Sequence, residues 1–419
     1  MEFSKFILAH EKDDTARLIL AGAEWPDAPI EGDARDICVS TIESRRVIKA
    51  KVPEWYERPE LVYPAKLSAE QCSSSATARY KAGIVKRIFT EKPDVADLTG
   101  GLGIDTAAFA GVAGEVLYND MNPILVAAAK HNFAVLGISN VRFSCNETRP
   151  GSAVPDGFRA ELLFLDPSRR AGGRKVFLPE DCSPDIVALK DELLSRSGHI
   201  LIKLSPMADI SMLCRKLGGN VRELHVLGAG GARGECKELL LLLDSETHSS
   251  PQIIVADAAQ ETALMSFSPD EEAAARIRLP QDETDLESLC REMILFEPSS
   301  TLMKAGAFKL LCKRFGLVKL ARSTQLYLAP KDRAAELSTL GKLFTVSAFA
   351  PFDKGSLARF AKLWPKCEVS ARNMPLSSDA LRKKMGVASG GDTHIFAFTA
   401  DFAAAKSSRK LISAVPSGI

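Results

Sequence analysis

Between residues 93 and 245 the chain alternates short apolar runs with longer stretches of helical periodicity. "DVADLTG", "EVLYND", "NVRFSC", "ELLFLD", "HILIKLS", "VRELHVLG" and "ELLLLLD" have strand length and end at or just before Gly, Asp, Asn or Ser, so seven strands are expected. Helical spacing fills the intervals, as in Ile104, Ala107, Ala108 and Ala110. Strand and helix in alternation predict a mainly parallel sheet covered on both faces, with the last strand reversed. Upstream, "DDTARLILAG" and "DICVSTIESRRVIKAKV" read as helices broken by "VPEWYERPE" and "VYPAK". "EQCSSSATARYKAGIVKRIF" reads as a serine-capped helix entering the first strand. The basic run Arg45, Arg46, Lys49 and Lys51 is expected to be a solvated face, with no chemistry of its own.

After Asp244, "DSETHSSPQ" is polar and reads as a linker. Strands are expected near "QIIVADA", "ALMSFS" and "MILFEP", and one helix over "TLMKAGAFKLLCKRFG", ended by Gly316. From 343 onward, "LFTVSAFAPFD", "GSLARFAKLW", "KCEVSARNM", "SSDALRKKMG" and "THIFAFTAD" alternate strand and helix again.

"VADLTGGLGIDTAAFA" sets three glycines between an acid and a helix. Gly100, Gly101 and Gly103 lack a Cβ and can take positive φ, so a ligand can touch backbone, and the helix start offers free N–H groups. Read from Gly101, the GxGxxG dinucleotide fingerprint fails where Thr106 stands, and no Walker lysine follows. Asp120 ends the second strand about 20 residues on, the place where an α/β nucleotide site grips ribose hydroxyls. A ribose-bearing ligand is therefore expected.

The stretch resembles the class I S-adenosylmethionine-dependent methyltransferases. The resemblance covers roughly residues 72 to 245 and rests on "DLTGGLG", "NDMNP", "NVRFSCNE" and "LLFLDPSRR". It implies a Rossmann-like, seven-stranded, doubly wound sheet and S-adenosyl-L-methionine as cofactor. It implies that Asp97, Thr99 and the backbone of Gly100, Gly101 and Gly103 hold the methionine end. Asp120 with Met121 would take the ribose, and Asn146 or Glu147 would face the adenine. The C-terminal stretch resembles the THUMP-like module that some bacterial methyltransferases carry, whose nearest analogue in tRNA-modifying enzymes binds RNA. The expected organisation is a helical region over 1–88, the methyltransferase domain over 89–246, a small ferredoxin-like α/β domain over 251–335 and the THUMP-like domain over 341–419.

In that family the residues after the fourth strand face the methyl group, which makes Asp166 the first candidate for contact with the acceptor. Base amino-methyltransferases carry Asn or Asp, Pro-Pro and an aromatic there. This chain keeps Asp166 and Pro167 but has Ser168 and Arg169, and it has no cysteine nucleophile beside the loop. Counted by strand, Lys81, Asp166, Lys203 and Glu238 occupy the slots of the Lys-Asp-Lys-Glu tetrad of ribose 2′-O-methyltransferases, although the helix also offers Lys86. A ribose hydroxyl is a poor nucleophile, so a lysine must take its proton or stabilise the alkoxide, tuned by neighbouring charges. Arg169, Arg170, Arg174 and Lys175 crowd the adjoining loop, and guanidinium forks suit substrate phosphates.

The 419 residues carry a net charge of +1, which excludes a protein coated in basic surface. Residues 251–297 nevertheless hold 11 acids and 3 bases, and residues 341–419 hold 12 bases, among them Arg382, Lys383 and Lys384, against 5 acids. A basic module of this kind can meet phosphates. Nine cysteines without a CxxC pair point to reduced thiols in the cytoplasm. "ELLLLLD" is far short of the ~20 apolar residues that span a bilayer, and the histidines, His131 included, show no metal-ligand spacing. The expected function is methylation of RNA at a ribose 2′-O or a base nitrogen, without metal or membrane. The alternatives are methylation of a small phosphorylated metabolite or protein, and an inactive cofactor-binding protein that binds RNA.

Overall fold

All seven strands expected between residues 93 and 245 form. They are β1 Val95–Asp97, β2 Val116–Asn119, β3 Val141–Ser144 and β4 Leu162–Leu165; then, after the two-residue strands β5 Arg170–Ala171 and β6 Arg174–Lys175, come β7 His199–Leu204, β8 Val221–Ala229 and β9 Glu235–Asp244. The computed structural model describes residues 2–168, 170–171, 174–175, 179–260 and 262–418, with backbone alone at 170–171, 174–175 and 179. Their order is β8-β9-β7-β4-β1-β2-β3. β1 pairs in parallel with both β2 and β4, β2 with β3 and β4 with β7, while β9 runs antiparallel to β7. Every residue of β1, β2 and β4 is buried, as parallel strands covered by helices on both faces require. The chain leaves β1 toward β2 on one side and returns as β4 on the other. In such a sheet the crevice for a ligand opens at that reversal, beyond the carboxyl ends of the strands.

The N-terminal helices pack on this sheet. Trp55, Leu61 and Tyr63 share one apolar core with Leu102, Ile104, Leu125 and Phe133. Asn132, in the helix Pro123–Leu136, acts as a clasp: its Oδ1 accepts the Val62 N–H at 2.8 Å and its Nδ2 donates to the Val62 carbonyl at 2.9 Å. The basic run expected to be solvated is instead partly internal. Arg45 is buried over the Tyr56 ring, and the Lys51 ammonium donates to the carbonyls of Ala69 and Cys72 at 3.3 and 3.1 Å. Long aliphatic stems let both cations reach backbone carbonyls, Arg45 that of Arg58 at 3.5 Å.

The helix Ser75–Ile88 starts on Ser74 with a reciprocal capping box to Thr77. Its far end is tied to β8. Arg87 forms a two-pronged ion pair with Glu223, and the Tyr80 hydroxyl lies 2.8 Å from Nδ1 of His225. His225 Nε2 stands 3.0 Å from Glu223, and burial lowers the ring's pKa against the opposing pull of Glu223.

Compact unit one comprises Met1–Leu227, Glu238–Pro251 and Ala258–Glu261; unit two comprises Gly228–Lys237, Gln252–Asp257 and Thr262–Ile419. In the second unit β10 Gln252–Asp257 and β11 Met265–Phe267 form an antiparallel ladder. The strands β12 Ile294–Pro298, β13 Val318–Ala321, β14 Thr324–Ala329, β15 Gly341–Pro351, β16 Glu368–Arg372, β17 His394–Ala400 and β18 Ser408–Pro416 form one sheet in the order β13-β14-β12-β15-β18-β17-β16. The segments 251–335 and 341–419 thus share a sheet through the β12–β15 pairing. The single helix expected over 301–316 is two, Ser300–Ala305 and Lys309–Phe315, because Gly306 stops the first in the left-handed conformation at φ 84°. The acidic and basic segments also meet. Glu283 pairs with Lys410 at 2.7 Å, and Glu297 with Arg372 at 2.5 Å. Among the described residues no helix is long and apolar enough to cross a membrane.

β1 ends on Asp97, which is 1% exposed. Its carboxyl accepts the Thr106 hydroxyl at 2.6 Å and the Thr99 N–H at 3.2 Å. Burial, partly countered by Thr106, pushes its pKa up to about 8. The folded chain therefore holds a proton that the unfolded chain releases near pH 4, so stability is fully present below pH 4 and drains away as pH rises to about 8. Asp97→Asn is expected to gain on the wild type in melting temperature across that window and to gain nothing further above it; a gap independent of pH would show Asp97 to be ionised in the fold. For the clasp, Asn132→Ala strands a buried N–H and a buried carbonyl and should cost about 2–4 kcal/mol in urea unfolding. A loss under about 0.5 kcal/mol would show that Val62 is not held there.

Candidate active site

Four loops meet at the carboxyl ends of β1 to β4. The loop after β1 turns on its glycines: Gly100 N–H bonds the Asn119 carbonyl and Gly103 N–H the Gly100 carbonyl, both at 2.8 Å. A Cβ on Gly100 would stand 2.2 Å from the Tyr118 ring, so only glycine lets that ring lie against the loop. The Tyr118 hydroxyl then donates to the Gly101 carbonyl at 2.6 Å. Gly103 takes φ 85° as it starts the helix Ile104–Ala110. The side of Gly101 that a Cβ would occupy meets nothing nearer than the Thr99 oxygen at 3.9 Å, which leaves backbone open to a ligand.

Asp120 braces this loop. One carboxylate oxygen accepts the Gly101 N–H at 2.9 Å and the other the Asn122 N–H at 2.8 Å, yet the residue stays half-buried and within reach of a hydroxyl donor. Met121, Asn146 and Glu147 follow β2 and β3 with exposed side chains, Glu147 being 4.0 Å from Arg149. Asn119 ties the loops together. Buried, it donates to the carbonyls of Leu98 and Asn146 at 3.3 and 2.9 Å and accepts the Asn146 N–H at 3.0 Å. Thr148 adds a bond to the Leu98 carbonyl at 3.2 Å. Two expected cofactor contacts turn inward instead. Asp97 is buried as described, and the Thr99 hydroxyl accepts the Asp166 N–H at 2.6 Å.

The four tetrad side chains gather as two ion pairs. Lys203 Nζ lies 2.5 Å from Asp166 Oδ2, and Lys81 Nζ 2.9 Å from Glu238 Oε1. Burial works against the Lys203 ammonium, but Asp166, Glu238 and Asp105 together outweigh it and raise its pKa above the ordinary lysine value. The pairs differ in access. Lys81 is 0% exposed, whereas the Asp166 side chain is 35% exposed. Lys81 also donates to Ser73 Oγ at 3.0 Å and stands 3.1 Å from Asp105 Oδ1, while Ser73 donates to Asp105 Oδ2 at 2.7 Å. Its protons are thus engaged, and Lys86 is exposed on the same helix. An acceptor can reach Asp166 but not Lys81. Cys72, half-buried beside this cluster, has its thiol pushed up to about 11 by burial.

Sequence reading passes over Ser73, Asp105, Asn119 and Thr148. Ser73 and Asp105 are separated by 32 positions, and nothing in either local pattern links them. Asn119 stands next to Asp120, and its role depends on loops that only the sheet brings together. In the adjoining loop, Arg169 lies outside the described residues; Arg170, Arg174 and Lys175 contribute backbone to the antiparallel β5–β6 ladder, and their side chains also lie outside what is described. "GAGGARGECKE", residues 228–238, joins β8 to β9. His131 bonds the Glu60 carbonyl at 2.9 Å. Away from the cleft, Asp244, Glu246 and His248 bring ligand-type atoms within 4.8 Å of one another, a grouping the histidine spacing did not suggest. His248 is 2.7 Å and Arg222 3.7 Å from the Asp244 carboxylate.

Several known proteins and domain models are similar to this chain. A ferredoxin-like domain model matches residues 295–334 and a THUMP domain-like model residues 341–412. The crystal structure of a candidate methyltransferase from Porphyromonas gingivalis W83 is 29% identical and covers 99% of this chain and 97% of its own, with a TM-score of 0.80. Uncharacterized S-adenosylmethionine-dependent methyltransferases from two strains of Mycobacterium tuberculosis are 27% identical over 188 residues, 42% of this chain and 48% of each relative. The chain spans about half the length of these curated relatives. By sheet order, loop architecture and these likenesses, the chain is a class I S-adenosylmethionine-dependent methyltransferase in fold, with a THUMP-like domain toward its C-terminal end.

Proposed function

We propose that the chain transfers a methyl group from S-adenosylmethionine to RNA, with a ribose 2′-hydroxyl as acceptor beside Asp166 and Lys203. The observation that carries the reading is the Lys203–Asp166 pair at the ends of adjacent parallel strands, joined to the glycine loop through Thr99. The loop glycines and Asp120 fit the cofactor: open backbone at Gly101 for its methionine end, a half-buried carboxylate for its ribose. Met121 would lie beside the ribose, and Asn146 or Glu147 would face the adenine. When bound, the cofactor supplies an electrophilic methyl group on a cationic sulfur.

The protein's part is positioning and electrostatics. Asp166 orients the hydroxyl and receives its proton. Lys203 stays an ammonium because the surrounding carboxylates raise its pKa; it fixes Asp166 and stabilises charge developing on the acceptor oxygen. Lys81 and Glu238 hold the helix Ser75–Ile88 against β9. Residues 89–246 would carry out the transfer, and residues 251–335 and 341–419 would bind the acceptor. The basic side chains of the helices Lys354–Leu363 and Ser378–Met385, Lys354, Arg359, Lys362, Arg382, Lys383 and Lys384, suit phosphates, as would the Arg169 to Lys175 loop. A base nitrogen is the second reading, favoured by Lys203 being held charged: Asp166 and the Pro167 carbonyl could then accept an amino group's protons without a base.

Nucleoside mass spectrometry of RNA from a deletion strain and its parent separates the readings: loss of a 2′-O-methyl nucleoside supports the first, loss of a base-methylated one the second, and no change argues against RNA. Lys203→Ala and Asp166→Ala should each lower turnover at least 100-fold while changing S-adenosylhomocysteine affinity by less than about threefold, because their contacts act mainly in the transition state. Equal losses in both measurements would make them binding residues only. RNA affinity should fall steeply with salt, and neutralising Arg382, Lys383 and Lys384 together should flatten that slope. Binding indifferent to salt would point to a small-molecule acceptor.

A further inference from the structure

The second unit holds a cavity of about 390 Å³, a volume at the low end of the range for ligand pockets. Its walls come from the helix Glu283–Glu292, the middle of β15 and the helix Lys354–Leu363. Cys290, Val346, Ala348, Phe349, Phe360 and Leu363 make the lining largely apolar. Phe360 is buried and Phe349 half-buried, while Leu363 is 59% exposed. Two arginines stand at this lining, and they differ in engagement. Arg291 pairs with Glu287 at 2.5 Å. Arg359 is exposed and forms no ion pair among the described residues; its guanidinium carbon lies 5.9 Å from the centre of the Phe360 ring. A free guanidinium beside an apolar wall fits a ligand that is apolar at one end and anionic at the other.

β15 adds backbone groups to this lining. β12 pairs with it only from Gly341 to Phe344, so past Phe344 that edge of β15 has no strand beside it, while β18 pairs along the other edge as far as Pro351. The N–H and C=O groups of an unpaired edge are available to a ligand. A peptide strand is poorly suited to take them. The pairing with β18 shifts register between Val346 and Ala348, which leaves Ser347 as a bulge, and Pro351 offers no N–H. A bulge breaks the even spacing that an added strand needs and twists the edge away from it. A nucleobase needs only one or two donors and acceptors and an apolar face to stack on.

We propose that this cavity seats one unpaired nucleotide of the acceptor RNA, with its base against Phe349 and Leu363 and its phosphate on Arg359. The proposal rests on the RNA reading above and deepens it: the second unit then recognises a base as well as backbone charge. A base can enter only when it is unstacked and unpaired, so the cavity selects single-stranded segments over duplex. Stacking on an aromatic ring tolerates any of the four bases, so the seat reads strandedness rather than sequence.

Fluorescence anisotropy on the full chain, with a labelled single-stranded RNA octamer of mixed sequence and with its duplex, tests this. Phe349→Leu keeps an apolar side chain but removes the ring. It should weaken single-strand binding about tenfold, leave duplex binding unchanged and leave the slope of log affinity against log salt unchanged, because no phosphate contact is lost. Arg359→Ala, at an exposed position, should weaken single-strand binding and flatten that slope by about 0.7, the share of one phosphate on a single strand. A 4-thiouridine in the octamer should photocrosslink within residues 346–363. Equal losses on single strand and duplex would show that Phe349 acts through the fold; unchanged single-strand binding, or crosslinks confined to other segments, would leave the cavity without a base. Each of these overturns the inference. Binding of free uridine monophosphate without the octamer, or displacement of the octamer by hexaglutamate as readily as by unlabelled RNA, overturns it too. If the deletion strain loses a modified nucleoside while Phe349→Leu binds single strands like the wild type, the cavity assignment fails alone and the RNA reading stands; wild-type protein that binds no RNA overturns both.

Discussion

A buried ammonium holds the cleft together. Lys81 has no exposed surface, and it joins β9 through Glu238, the segment before its own helix through Ser73, and the helix after the glycine loop through Asp105. An ion taken out of water is tolerated only when its partners are close and numerous, and removing one partner of such a set costs far more than the set contributes to stability. The elements it ties are therefore confined to one arrangement. The glycine loop cannot shift without moving Asp105, and β9 cannot slide without moving Glu238. Geometry at the loop mouth is inherited from this constraint.

The neighbouring pair serves a different end with the same residue types. Lys203 and Asp166 stand on adjacent parallel strands, but Asp166 keeps a third of its side chain open. One lysine–carboxylate pair is sealed and structural, and the other is presented to the crevice. What separates them is depth. The helix Ser75–Ile88 covers the first pair, and its placement depends in turn on Arg87 and Tyr80 meeting Glu223 and His225 on β8. Those contacts and the Lys81 pairs fix the helix along its length.

The second unit shows charge handled on a larger scale. Its acidic and basic segments neutralise one another in part, through Glu283 with Lys410 and Glu297 with Arg372. Lys354, Arg359, Lys362, Arg382, Lys383 and Lys384 sit on the helices Lys354–Leu363 and Ser378–Met385, where Arg382 pairs with Asp379 at 3.0 Å. A single seven-stranded sheet carries both segments, so the two domain models matched there describe parts of one continuous sheet.

Local chemistry was enough to determine the strands, the glycine turn, the serine cap before Lys81 and the strand-end acids Asp97, Asp120 and Asp166. Periodicity and turn residues act over a few positions, and a strand-by-strand count then placed Lys81, Lys203 and Glu238 at one cleft. Which of those side chains face a ligand was not legible. Asp97 turns inward to Thr106 and Thr99 to Asp166, Lys81 is sealed while Asp166 is open, and Arg45 and Lys51 leave the surface for backbone carbonyls. Gly306 splitting a helix is a local signal that apolar periodicity on both sides obscured. Burial and pairing are properties of distant segments brought together, as with Ser73 and Asp105 or Lys81 and Glu238, so the sequence by itself determined which groups could do the chemistry, and only the tertiary structure decided which of them water and an acceptor can reach.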